Sequence, residues 1–467
     1  MLDIILVRCS ENCIHKTIND LPKEVETEVR KHFRIKTCPT AFGNADVILG
    51  EDLKKECDEL ADLSNEHPKL KGLFQVLSKV ENDENVVLLD AQYFSCFDVY
   101  CWRFALAEYA KGHNLCEAYR DMKFNFQASC FPRYDMLLFA DLGYEQYYGV
   151  WDKNTRICRF CGKRNETDSN KSIFGQPKNS HAISYFIGNK RLFCLEECKA
   201  CNERFGGTIE KDLSNYYSYF RASEGRKSRN NNPLIAKGFN FEYENGRISV
   251  YSDKPIKNAP RIGESIPKEG IRLNLDQEDP VCLHNIYRLL VKYVLACIPN
   301  HLLPAFSKTI KWINGEKKTK RFLLPPVYRN ELLESVHSPC LCVYIRKDNK
   351  KDLPYCVGEL RFMGNLYVYA VPYCTSHDAI LANMPAALDR FVNMRYPGLE
   401  FTVENYCDDE LKLITSHVLI GEGGTDEVLE PLDSDSDGRI KEWWKKRNEK
   451  MMRLFGTTDL HPDQEYM

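Results

Sequence analysis

Hydrophobic residues recur along this chain with two different periods. Leu2 to Val7, Val86 to Asp90 and Met136 to Ala140 are short, nearly continuous apolar runs, the pattern of buried strands. Between them, Asp52 to Leu63, Leu70 to Val80 and Tyr100 to Ala110 carry apolar residues at helical spacing. The order strand, helices, strand, helix, strand predicts a layered α/β domain over residues 1–150. Asp90 and Asp141 each close an apolar run, where an aspartate opens a turn more often than it does chemistry.

Farther along, Phe239 to Tyr251 alternates apolar and polar residues on either side of Asn245-Gly246 and predicts a hairpin. Residues 252–278, rich in Pro, Gly and Lys, read as a connector. Asp279-Pro280 pairs an N-cap acid with a proline at the first helical position. The helix it predicts runs to about Ile298, with Ile286, Leu289, Leu290, Tyr293, Val294 and Cys297 as its apolar stripe. Leu341 to Ile345, Glu359 to Phe362 and Leu366 to Val371 are strand-like, and Met363-Gly364-Asn365 joins the last two. His377 to Met394 predicts a helix, Leu399 to Asn405 and Leu411 to Ile420 strands, and Gly421 to Thr425 a loop. Asp437 to Phe455 predicts a final helix with basic polar positions. No internal repeat is present. The expected architecture is α+β and multi-domain: an α/β domain over 1–150, a small module over 151–255 and an α+β region over 256–467.

Composition narrows the class of protein. Of 467 residues, 43% are hydrophobic and 28% charged, as in ordinary globular chains. A net charge of −3 gives no overall basic footprint, so nucleic acid would have to be met by a local patch. No apolar run reaches the roughly 18 residues of a membrane helix. The start, Met1-Leu2-Asp3, has no basic stretch, and no signal peptide is expected. Many of the 20 cysteines stand singly in apolar runs, as Cys282, Cys297 and Cys356 do. A reduced, cytoplasmic protein with buried thiols is expected.

Four cysteines break that pattern. Cys158 and Cys161, then Cys198 and Cys201, form two Cys-x-x-Cys pairs, the knuckles of a tetrahedral structural zinc site. The span between them is longer than a compact zinc finger needs and contains His181. Cys194, four residues before Cys198, reads as a buried thiol.

Ser180-His181, Gly188-Asn189-Lys190, Glu197-Cys198, Cys201-Asn202, Phe205, Glu210 and Asp212 together resemble the HNH endonuclease superfamily, in a zinc-knuckle bacterial branch. The likeness continues more weakly through Arg221, the Asp279 helix and Pro354 to Pro372, about half the chain. It implies a ββα-metal fold pinned by zinc, with phosphodiester hydrolysis as the activity. DNA is the expected substrate and RNA the alternative. Members of such bacterial families often serve in antiviral defence. The resemblance implies His181 as the general base that takes a proton from attacking water. It implies Asn202, in the first turn of the following helix, as a ligand of catalytic Mg²⁺ or Mn²⁺. Two departures stand out. Ser180 occupies the place of an acid that many members use as a second ligand, and Leu192 and Phe193 lie where a further asparagine is usual. Glu210 is the natural substitute. Eight helical steps leave it about 80° around from Asn202, so a bend near Gly206-Gly207 is required. Glu203 points about 100° away and is a poorer candidate. The other reading of the same residues is a catalytically inactive, zinc-stabilised nucleic-acid-binding or adaptor protein.

Beyond the motif, Arg221, Arg226, Lys227 and Arg229 predict phosphate contacts, with Lys190 beside them in the motif. Lys317 to Arg321 is a second basic cluster. Asp433-Ser-Asp-Ser-Asp-Gly resembles the start of a calcium loop, but Trp444 holds the place of its last acidic ligand, so an acidic helix cap is expected instead. Residues 1–150 carry no such motif and would sense a signal or bind a protein partner.

Overall fold

Leu2–Arg8 is the centre of an antiparallel four-stranded sheet, flanked by Ile14–Ile18 and Asn85–Asp90, with Ile48–Leu49 at the edge. Its alternate residues Leu2, Ile4 and Leu6 face helices Lys23–His32, Gly50–Glu59 and Lys71–Leu77, while Ile5 and Val7 face the other way. This computed structural model describes residues 1–8, 13–38, 46–128, 133–165, 172–218, 239–244, 247–252, 271–276, 279–316, 324–331, 338–374, 384–407, 409–413 and 415–420. The chain is α+β, and among these residues no helix is long and apolar enough to cross a membrane.

A second, six-stranded antiparallel sheet runs in the order Thr402–Glu404, Val327–Glu331, Asn365–Ala370, Cys356–Phe362, Cys340–Arg346, Tyr134–Ala140. The strand expected at Met136 to Ala140 therefore pairs with Cys340–Arg346, and Gln146–Tyr148 pairs in parallel with Leu192–Cys194, so the first 150 residues contribute to three sheets. Both faces of this sheet are buried. Leu341, Val343 and Ile345 join one core with Tyr367 and Tyr369, and Cys342 and Tyr344 join another with Leu366 and Val368. Period-2 strands that are apolar on both faces must be covered on both. Helices Cys96–Ala110 and Met384–Arg395 cover one face. Helix Leu283–Cys297 covers the other and joins it to the cysteine pairs in a single core. A Ser95–Asp98 capping box starts helix Cys96–Ala110.

Several boundaries move for physical reasons. The helix expected from Asp279-Pro280 begins at Leu283, because Val281–Cys282 first pairs with Leu411–Lys412. Its cap comes through space: Asp212 accepts the Cys282 amide at 3.1 Å and the Asn285 side chain at 2.7 Å. The connector reading of 252–278 is also corrected, since Ile271–Asp276 pairs with Thr415–Ile420. The expected hairpin is present as Phe239–Glu244 against Arg247–Ser252. Met363 and Gly364 both take positive φ, the primed turn that joins Cys356–Phe362 to Asn365–Ala370. Asp90 and Asp141 act as turn residues, accepting the amides of Gln92 and Gly143, and each also pairs with an arginine, Arg30 or Arg191. Arg221, Arg226, Lys227, Arg229, Lys317 to Arg321, Asp433, Trp444 and the expected helix Asp437 to Phe455 lie outside the described residues.

Candidate metal centre and the surrounding site

The first knuckle is a tight turn. Gly162 takes positive φ, its amide donates to the Cys158 carbonyl at 2.8 Å, and the Cys158 amide donates to Lys163 at 2.9 Å. The second knuckle is a helix start: Cys198 is the N-cap of Lys199–Gly207, and Cys201 lies in its first turn. The four Sγ atoms all lie within 4.8 Å of one another, with Cys161 and Cys198 3.7 Å apart. Four sulfurs each about 2.3 Å from one ion form a tetrahedron with edges of about 3.8 Å. The cluster therefore fits a metal such as zinc. Cys158, Cys198 and Cys201 are buried and Cys161 is exposed. Hydrogen bonds with Cys158 and Cys201 lower the Cys198 thiol, and the same contacts raise that of Cys201. Cys194 is buried, lies outside the tetrad, and is raised to about 11 by burial.

Polar side chains lock this cluster to the rest of the chain. Buried Arg159, inside the first knuckle, donates to the carbonyls of Leu295, Ala296 and Ile298 at 2.7–3.2 Å, capping the end of helix Leu283–Cys297. Its other nitrogen pairs with Glu196 at 2.7 Å. Arg204 reaches Cys201 Sγ at 3.7 Å and Asn314 at 2.7 Å, and Asn314 donates to the Phe160 carbonyl.

His181 lies on a short antiparallel pair. It is bridged to Phe193, the Ala182 amide donates to Leu192, and the Cys194 amide donates to Ser180. This pair followed by helix Lys199–Gly207 makes a β-β-α order. The turn between its strands is held by Asn189, fully buried, which donates to Ile183 and Leu192 and accepts from the Arg191 and Leu192 amides. Gly188 before it takes positive φ. The Gly188-Asn189 pair is thus a backbone staple, while Lys190 is exposed. The His181 ring packs on Tyr185 at 5.5 Å and Phe193 at 5.0 Å.

The helix does break where a bend was needed: Lys199–Gly207 ends at Thr208 and Ile209–Tyr216 follows. The bend, however, delivers Glu210 to Lys292, 3.1 Å away. Lys292 also pairs with Glu197 at 3.2 Å, and both of those side chains are 0% exposed. Ser180 donates to Glu197 at 2.8 Å. Lys292 further lies 5.6 Å over the Phe205 ring and 5.9 Å over Phe160. Burial raises the Glu197 carboxyl, with Lys292 opposing. Burial also works against the Lys292 charge, but Glu197 and Glu210 together raise its pKa.

Mg²⁺ or Mn²⁺ at Asn202 and Glu210 does not fit these residues, because the Glu210 carboxylate already faces an ammonium. Asn202 is half-buried and Glu203 exposed. Among the described residues, His181, Asn202 and Glu210 belong to no group of three or more close His, Cys, Asp or Glu ligands. The other such group, His32, Glu56 and Glu59, lies on the N-terminal helices with a His32–Glu56 contact of 3.0 Å. The residue pattern missed Lys292, Arg159 and Glu196, and named Glu197 only as part of the motif. Lys292 did leave a signal, as a lone charge between Leu289-Leu290-Val291 and Tyr293-Val294-Leu295. Comparison with protein-family models, with curated proteins and with solved structures finds no match to this chain.

Proposed function

We propose that the protein is an HNH-type endonuclease whose metal pin is zinc and whose general base is His181. The observation that carries this reading is the antiparallel bridge of His181 to strand Leu192–Cys194, with the second cysteine pair opening the helix that follows. The strand backbone fixes the His181 main chain, and the rings of Tyr185 and Phe193 hold its imidazole. A neutral imidazole can take a proton from an attacking water. DNA is the proposed substrate, with RNA as the alternative.

The Glu210–Lys292 pair favours a second reading, a zinc-stabilised nucleic-acid-binding module without catalysis, since it occupies the expected hard ligand. Incubation of the full chain with plasmid DNA and with structured RNA, under Mg²⁺ and Mn²⁺, separates the two. Cutting is expected, and His181→Ala should slow it about 10²–10⁴-fold. Absence of His181-dependent cutting of either polymer would leave the binding module as the function.

A further inference from the structure

A continuous row of aromatic rings leads from the candidate base out to solvent. His181 packs on Phe193, Phe193 stacks on Tyr147 at 5.3 Å with 24° between ring planes, and Tyr147 meets Trp151 at 4.7 Å. Trp151 is 60% exposed. Val150 beside it is 39% exposed, and contiguous exposed apolar surface of this kind marks contact sites.

The turn that carries Trp151 is built rather than loose. Buried Arg156 donates to the carbonyls of Val150 (2.8 Å) and Trp151 (2.6 Å). The Glu196 carboxylate accepts the Val150 amide at 3.0 Å, and a Cβ on Gly149, whose φ is positive, would strike the Glu196 side chain at 2.6 Å. Glu196 is itself buried and held by Arg159 and Asn300. The exposed indole is thus presented by backbone fixed to the same residues that tie the cysteine cluster to helix Leu283–Cys297. Such preorganisation lowers the entropy cost of binding at this ring.

We propose that Trp151 and Tyr147 form a stacking platform for an unpaired nucleobase of a single-stranded nucleic acid, next to the phosphate that His181 serves. This proposal rests on the nuclease reading. The Tyr147 and Trp151 rings are tilted 53° to each other, so the exposed indole offers the face. Within a duplex the base faces are hidden in the stack, so such a face selects a single strand or an extruded base. Exposed Lys190 lies on a segment beside the row and suits the backbone of the same strand, whereas Lys178, also exposed, is paired with Glu145.

The test uses the full chain, without added divalent cation, against short labelled single-stranded DNA, single-stranded RNA and duplex DNA, read by fluorescence anisotropy. Single strands of one or both kinds should bind more tightly than the duplex. Trp151→Ala should weaken that binding about 5- to 150-fold, the range of one base–aromatic stack. Its salt slope should stay unchanged, because the ring releases no counterions. Trp151→Phe should keep most of the affinity. Circular dichroism checks that these exposed substitutions leave the fold intact. Equal binding by wild type and Trp151→Ala, preference for duplex, or no binding to any strand overturns the platform. Cutting is measured separately with Mg²⁺. An enzyme that cuts regardless of Trp151 rejects the platform alone, and Trp151-dependent binding without cutting rejects the nuclease reading alone.

Discussion

Stripping the metal from the four cysteines is expected to unfold the segment from Cys158 to Gly207 and to loosen the rest of the core around it. The purified chain should carry about one zinc ion. Zinc in small peptides of this type contributes about 10–16 kcal/mol of apparent binding energy at neutral pH, most of it felt as folding energy. Without the ion, the bridged segment around His181 and strand Leu192–Cys194 have few hydrogen bonds to hold them against the helix. The loss should spread, because Arg159 in the first knuckle caps helix Leu283–Cys297 through three carbonyls. Cys201→Ser should lose zinc and lower the unfolding midpoint, whereas Cys194→Ala should keep zinc. Elemental analysis together with thermal unfolding reads both. A full zinc complement in Cys201→Ser, or none in the wild type, would count against the zinc assignment.

The cysteine pairs were legible because ligand spacing is a local constraint: two residues between sulfurs suffice to form a knuckle, whatever surrounds it. Strand runs such as Leu341 to Ile345 were legible because burial on both faces leaves an unbroken apolar signature. What escaped was every feature set by partners distant in sequence. Asp212 caps a helix that starts seventy residues later, so the local signal at Asp279-Pro280 misled. Ile271–Asp276 pairs with a strand near residue 420, and nothing in its Lys- and Pro-rich surroundings marks that. Glu210 illustrates both sides. The bend it needed could be read from Gly206-Gly207, but its partner could not, because Lys292 belongs to another part of the chain.

Lys292→Met is expected to be the most damaging single substitution outside the cysteines. The methionine nearly preserves volume, so the change removes charge with little loss of packing. Breaking one side of a buried ion pair typically costs about 3–5 kcal/mol, because the remaining charge is left uncompensated. Here Glu197, fully buried, would lose its cation while Glu210 still stood nearby. Glu197 also holds Ser180, the residue before His181, so the damage should reach the candidate base. The pH dependence follows from the directions of the shifts. The raised Lys292 pKa means its stabilisation is complete at neutral pH and is lost only as pH rises past the ordinary lysine range. The raised Glu197 pKa works the other way, with stability falling as pH rises from the unfolded carboxyl value towards the folded one. Removal of Lys292 takes away the influence that lowers Glu197, so the carboxyl should rise further and remain protonated to higher pH. The stability gap between wild type and Lys292→Met should therefore be widest near neutral pH and narrow towards about pH 5. Lys292→Met combined with Glu197→Gln should recover most of the loss, since no unpaired buried charge then remains. Denaturant unfolding of the two variants and the wild type across pH measures this. A gap that is independent of pH, or a double variant no more stable than Lys292→Met, would show that Lys292 acts by packing on Phe160 and Phe205 rather than by charge.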